Sequence, residues 1–172
     1  MHEILELEKR REIYAVIKKN PGLNISKIAE KLNMRVSLLV YHLTYLERYE
    51  IVTCVKDGWF KYYYAKEDLG SKDRQILALL RKEKFLKIVL LILKNPNSAH
   101  KDLLPNIDVK RSTLSYYLDK LVKKRIITES SEEGKHKTYV VPDEKQIIRI
   151  ITQYKPYKAV DGAYEIWKDY KR

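Results

Sequence analysis

Apolar residues recur along this chain at helical spacing, in blocks broken by short polar turns. Ile4, Leu7, Ile13, Val16 and Ile17 share one face, and Asn20-Pro21-Gly22 stops the helix they predict. Asn24 can cap a second helix over 26–32, with Ile25, Ile28, Ala29 and Leu32 turned inward. After the turn at Asn33-Met34, a third helix is predicted from about 36 to 49 on the stripe Leu39, Leu43 and Leu46. The period then shortens. Segments 51–56 and 59–65 read as two strands around Asp57-Gly58, a type I′ hairpin signal.

The same order returns further on. Shifting the chain by 75 residues lays Lys19-Asn20-Pro21 on Lys94-Asn95-Pro96. Ser37, Leu39, Tyr41, Leu43, Leu46, Ile51 and Thr53 then fall on Ser112, Leu114, Tyr116, Leu118, Leu121, Ile126 and Thr128. That makes ten identities in the 35 positions from 19 to 53, at spacings a shared buried face requires. One inserted residue aligns Gly58, Lys61 and Tyr63 with Gly134, Lys137 and Tyr139. In the second copy a helix is predicted from about Asp73 to Lys94. A short one follows near 100–104, stopped by Pro105-Asn106, and a third over 111–125 turns Leu114, Leu118 and Leu121 inward. Strands near 126–130 and 137–141 flank Glu132-Glu133-Gly134-Lys135. Pro142-Asp143 opens a helix to about 154 with Ile147, Ile148 and Ile151 on one face.

Three helices and a hairpin, twice, predict a mainly α fold with small β-hairpins, in the α+β class. The expected architecture is two winged helix-turn-helix domains in tandem, over 1–68 and 72–154, joined by a long central helix and followed by a helical tail over 155–172. Val109-Lys110-Arg111-Ser112-Thr113-Leu114-Ser115-Tyr116-Tyr117-Leu118-Asp119-Lys120-Leu121 resembles the recognition-helix segment of archaeal and bacterial winged-helix regulators of the MarR and ArsR type. Met34-Arg35-Val36-Ser37-Leu38-Leu39-Val40-Tyr41-His42-Leu43-Thr44-Tyr45-Leu46 is a looser version that keeps the Tyr-His-Leu core, with Arg35 where the family usually has a capping Ser or Thr. Two such domains in one short chain are similar to archaeal transcriptional regulators with tandem winged helices. The resemblance reaches to about residue 154. It implies duplex DNA as partner, with helices 36–49 and 111–125 in the major groove and the wings on the backbone.

Charge sharpens this picture. Lys and Arg outnumber Asp and Glu by 35 to 23, a net charge of +12, which points to a nucleic acid or an anionic membrane surface. The bland alternative is a thermophile surface rich in Ile, Lys and Glu. Residues 1–75 carry 14 basic and 11 acidic side chains, a balance of +3, whereas 76–172 carry 21 and 12, a balance of +9. The second half should grip a polyanion harder.

Reading bases calls for short hydroxyl, amide or basic side chains on the outer N-terminal face of a helix. The second copy offers Lys110, Arg111, Ser112, Thr113, Ser115 and Tyr116, and Lys120, Lys123, Lys124 and Arg125 continue the basic strip. Arg111 is the candidate for guanine. In the first copy the outer face is Arg35, Val36, Ser37, Leu38, Val40, Tyr41, Thr44 and Tyr45. Its apolar groups suit thymine methyls, and equally a protein interface. Lys56, Trp59 and Lys61 surround the first wing tip, and Lys135, His136 and Lys137 follow the second, where Glu132 and Glu133 would repel phosphate. Tyr62, Tyr63 and Tyr64 read as packing within the sheet rather than as a stacking platform for single strands.

Nothing in the pattern reads as an active site, and no cofactor is implied. His2, His42, His100 and His136 are scattered without metal spacing, and the lone Cys54 excludes an intramolecular disulfide. The N-terminus lacks a signal-peptide core, and the longest apolar run, Ile88 to Leu93, is too short to span a bilayer, so a cytoplasmic protein with no membrane partner is expected. That run is apolar on every side of its helix. It therefore calls for cover from the other domain or a second subunit, and a homodimer is expected, with half-sites about 34 Å apart. A small-molecule effector is left open. Two other readings share the fold: a tandem winged-helix scaffold in a chromosome or transcription-machinery complex, favoured by the apolar face at 36–45, and an RNA-binding module.

Overall fold

The periodic blocks fold where their apolar stripes predict. In the computed structural model, which describes residues 8–131, 136–156 and 162–170, helix α1 (Glu8–Lys19) leads through a short strand β1 (Leu23–Asn24) to α2 (Ile25–Leu32) and α3 (Val36–Arg48). Strands β2 (Val52–Asp57) and β3 (Phe60–Ala65) form a hairpin, and β1 pairs with the free edge of β3, giving an antiparallel sheet of order β1-β3-β2. Helix α4 (Ser71–Leu80) follows, held to the sheet by the Tyr64 hydroxyl donating to Arg74 O at 3.0 Å. The second copy comprises α5 (Glu83–Lys94), β4 (Ser98–Ala99), α6 (His100–Leu103) with a 3-10 turn over Leu104–Asn106, and α7 (Arg111–Lys123). Strands β5 (Thr128–Ser130) and β6 (Thr138–Val140) and helices α8 (Glu144–Tyr154) and α9 (Ala163–Tyr170) complete it. Its sheet runs β4-β6-β5, again antiparallel. The chain divides into two compact units, 1–78 and 79–172, with the boundary inside α4.

The repeat holds at the level of single backbone angles. Helices α1 and α5, and α3 and α7, start and stop 75 residues apart. Gly22 (φ 82°) and Asn97 (φ 65°) both adopt left-handed backbone and donate to the β-strand carbonyls of Tyr63 and Tyr139. Beyond α3, Glu50 sits at φ 56° and Ile51 N donates to Leu46 O at 3.0 Å; beyond α7, Arg125 sits at φ 55° and Ile126 N donates to Leu121 O at the same distance. This is the Schellman ending, in which a left-handed residue lets the next amide reach back five residues.

In the first unit the core gathers Ile13 and Ile17 of α1, Ile28 and Ala29 of α2, Leu39, Leu43 and Leu46 of α3, and Val52 and Tyr63 of the sheet. The long helix expected from Asp73 to Lys94 is two helices. Lys82 turns extended (φ −94°, ψ 126°), its amide closing on Leu79 O at 2.9 Å, which ends the buried run Ile76–Leu80 before α5 begins. The first hairpin also differs from expectation. Asp57 pairs with Phe60, so the loop residues are Gly58 and Trp59, and of these Gly58 alone has positive φ, +60°, as in a type II′ turn.

Helix α5 buries Phe85, Leu86, Ile88, Val89, Leu90, Ile92 and Leu93. Much of that cover is local: α6, α7, β6 and above all the C-terminal α9 pack on it. Trp167 of α9 is 3% exposed, and Lys94 Nζ lies 3.2 Å from Asp169 Oδ2. The apolar circumference that called for another domain or subunit is thus largely wrapped by α5's own unit. Helix α8 faces inward with Ile147, Ile150 and Ile151, leaving Ile148 half-buried. Trp167→Ala should destabilise this unit by about 3–5 kcal/mol, the usual cost of emptying an aromatic site. Denaturant unfolding followed by far-UV circular dichroism checks this, and an unchanged midpoint would show that α9 is only loosely attached.

Candidate nucleic-acid interface

The second unit presents its α7 face because three leucines decide the rotation of the helix. Leu114, Leu118 and Leu121 are 0–1% exposed, which leaves Arg111, Ser112, Ser115 and Tyr116 on the outside and Thr113 at the margin. Lys110 is the N-cap residue, with extended backbone (φ −69°, ψ 154°) and no capping side chain, and the first turn holds no acid. Helices α2 and α8, by contrast, are capped by Asn24 and Asp143. The free amides at the start of α7 therefore carry the positive end of the helix dipole, unopposed, beside Lys110 and Arg111. Lys123, Lys124 and Arg125 extend the exposed basic strip at its other end.

Not every predicted side chain is equally available. The Ser115 hydroxyl donates to Arg111 O at 3.2 Å and lies 3.2 Å from His100 Nε2, which is also 3.2 Å from Arg111 O. His100 thus braces the first turn of α7 and engages the Ser115 hydroxyl. Lys120 is half-buried, its ammonium 5.7 Å above the Phe85 ring. Lys137 is bonded to both oxygens of Glu129 at 3.1 and 3.2 Å, and that hydrogen bond raises its pKa. Lys135 lies outside the described residues, as do Glu132, Glu133 and Gly134. His100, Lys101, Arg111, Asp119, His136 and Lys137 line an open cleft of about 310 Å³ between α7, the start of α6 and β6. Lys101 and Arg111 give the cleft a basic side, while the Asp119 carboxylate also lines it and Lys137 is already paired with Glu129. His100 and Lys101 were not singled out from the sequence. The available signal was that His100 stands where the first copy has the apolar Ile25.

In the first unit, Leu39, Leu43 and Leu46 fix α3 in the same way. Arg35 (φ −62°, ψ 135°) precedes the helix without capping it, and Arg35, Ser37, Leu38, Tyr41 and Thr44 are exposed, as are Val36 and Val40. Thr44 Oγ1 donates to Val40 O at 2.8 Å. Tyr45 is half-buried beneath the Arg10 guanidinium, 3.4 Å above its ring, so its face is occupied from within the unit. On the hairpin, Lys56 is exposed and Lys61 lies 3.7 Å from Glu47 Oε2. Trp59, at the tip, is 100% exposed.

The chain is 32% identical over 139 residues, 81% of its length, to an uncharacterized HTH-type transcriptional regulator of Methanocaldococcus jannaschii. The two are distant homologues. The chain spans about a third (34%) of that relative's length. No family model matches the chain. Among solved structures, a chain of the endosomal complex ESCRT-II (VPS22/VPS25/VPS36) aligns with 84% of this chain and 64% of its own, at 16% identity and a TM-score of 0.30.

Other titratable groups have structural roles. Burial raises the Cys54 thiol to about 11, helped by a hydrogen bond with Glu47, so little thiolate forms near neutrality. Among the described residues no three His, Cys, Asp or Glu side chains gather as a metal site, and no helix is long and apolar enough to cross a membrane. His42 is 7% exposed on α3, and burial, then the nearby Arg10 charge, lowers its pKa below 6.5. The unfolded chain therefore takes up that proton first. Stability is complete above the ordinary histidine range and falls as pH drops through it toward the folded value. The denaturant midpoint should decrease between pH 7.5 and 5.5, and His42→Gln should flatten that decrease. An equally steep slope in the variant would assign the effect elsewhere.

Proposed function

We propose that this chain is a tandem winged helix-turn-helix protein that binds double-stranded DNA sequence-specifically and regulates transcription. In this reading α3 and α7 are the recognition helices, and the β2–β3 and β5–β6 hairpins are wings that reach the backbone. The observation that carries it is the outer face of α7: Lys110, Arg111, Ser112 and Tyr116 stand exposed around an uncapped, acid-free helix start, with a closed leucine core behind. Distant homology to a named HTH-type transcriptional regulator supports the same conclusion.

Each part has a task in this reading. Arg111 meets guanine edges, and Ser112 and Thr113 make shorter contacts. Lys110, Lys123 and Lys124 meet phosphates, which set register and affinity without reading sequence. No second subunit is needed to account for α5, and no catalytic step or cofactor enters.

Arg111→Ala should weaken binding to a selected duplex by about 1–3 kcal/mol and relax preference at one base pair. Lys110→Ala should weaken binding to every duplex alike and reduce the salt dependence by about one counterion. Fluorescence anisotropy across a salt series measures both. Indifference of binding to salt and to Arg111→Ala, or preference for RNA hairpins over duplex DNA, would overturn the proposal.

A further inference from the structure

The two hairpins hold the same place in the repeat and present different chemistry. The tip of the first reads Lys56-Asp57-Gly58-Trp59-Phe60-Lys61, with two cations against one acid. The stretch from 129 to 137 in the second contains no aromatic residue and carries three acids, Glu129, Glu132 and Glu133, against Lys135 and Lys137. An aromatic, basic tip therefore belongs to the first copy alone.

That tip stands clear of its own unit. Trp59 is 100% exposed and Phe60 is 55% exposed. Gly58, at φ +60°, makes the turn, and a Cβ placed on it would meet no atom within 4 Å among the described residues. The root of the hairpin, by contrast, is held. Its strands pair from Val52–Ala65 out to Asp57–Phe60, and Lys61 lies 3.7 Å from Glu47 of α3. A large flat ring is thus carried at a set position beside α3, with apolar surface left in water.

Size decides what can cover it. Two aromatic side chains bury about 300–500 Å², whereas one side of a stable protein interface takes about 800 Å². A second copy or a protein partner held at this tip would be held poorly. A single ring suits a slot of its own thickness between stacked rings, and a base step is such a slot, since every base offers a π face. Phosphates flank the slot, and the exposed Lys56 stands at the root of the tip to meet them. Asp57, the one carboxylate of the tip, is half-buried.

We propose that Trp59 is a wedge that kinks DNA: the tip of the first hairpin enters the minor groove and the indole slides between two base pairs, unstacking that step. This rests on the duplex-binding reading above and adds a distortion of the DNA that neither α3 nor α7 requires. Pyrimidine–purine steps unstack most readily, so the hairpin selects sequence by deformability rather than by touching base edges.

Trp59 reports on its own surroundings, because the other tryptophan of the chain, Trp167, is 3% exposed. A duplex selected from random sequence by the intact chain is labelled at both ends for energy transfer, and iodide quenching of tryptophan emission is followed with and without it. Binding should bend the duplex by about 20–90° and shield Trp59 from iodide. Trp59→Ala leaves the core untouched; it should abolish the bend and weaken binding about tenfold, while the losses on adding salt and on Arg111→Ala persist. A straight duplex in the parent complex, or Trp59 still open to iodide there, would overturn the wedge and leave duplex binding standing. Failure to bind any duplex would remove both. Should iodide protection appear without DNA, on raising the protein concentration or on adding anionic lipid vesicles, the tip is a protein or membrane contact and the inference falls.

Discussion

The leucine stripe on the third helix of each unit is the constraint from which the rest follows. Leu39, Leu43 and Leu46, like Leu114, Leu118 and Leu121, are almost wholly buried. Truncating one such side chain to alanine typically costs about 2–5 kcal/mol, so the rotation of the helix about its own axis is held by several times thermal energy. A slip of one residue turns a helix by about 100° and would carry Tyr41 or Arg111 toward the interior. Burying an unpaired guanidinium costs several kcal/mol. The core therefore decides which residues face outward but says nothing about what they are. That indifference is what allows two copies of one scaffold to carry unlike surfaces.

A second lock sets where the hairpin begins. The chain leaves α3 through Glu50 and α7 through Arg125, both in left-handed backbone that a side chain adopts at a cost of about 1 kcal/mol or more. Glycine would be the unstrained choice. The strain is offset by the reach-back hydrogen bonds of Ile51 and Ile126 and by burial of those two side chains, 8% and 2% exposed. The turn then delivers β2 alongside α3, so that hairpin is aimed by the same leucine-bearing element that aims the helix face. At the other edge, β1 and β4 tie the segment before α2 and α6 into the sheet. In the second unit this is what places His100 against the first turn of α7.

Much of this was legible from the sequence because it rests on periodicity. The inward stripes, the offset of 75 and the spans of α3 and α7 are all consequences of which positions are apolar. What escaped depends on contacts between distant residues. Strands β1 and β4 are two residues long and carry no alternation to read. The break at Lys82 falls in a segment whose residues, Arg81 and Lys82 included, are good helix formers, so no local signal marks it. The cover on α5 was assigned elsewhere because α9 lies some 75 residues further along the chain, as the Lys94–Asp169 pair shows. At the candidate interface, exposure of Lys110, Arg111, Ser112 and Tyr116 followed from helix geometry alone. The engagement of Ser115 with His100, of Lys120 with Phe85, of Tyr45 with Arg10 and of Lys137 with Glu129 did not, because each needs a partner from another element.

The unequal charge of the two copies bears on how such a pair would share one duplex. Phosphate contacts supply affinity that is nearly blind to sequence and reaches over a Debye length, whereas methyl contacts discriminate bases but act only on touching. A chain with two basic faces would hold any duplex firmly, and the cost of leaving a wrong site would rise with every added cation. A chain with two apolar faces would lack the long-range pull that brings it to DNA and would risk self-association through exposed patches. Residues 76–172 carry 21 basic and 12 acidic side chains and residues 1–75 carry 14 and 11, so the electrostatic share falls on the second unit. In the duplex-binding reading this lets α3 stay weakly charged without loss of binding.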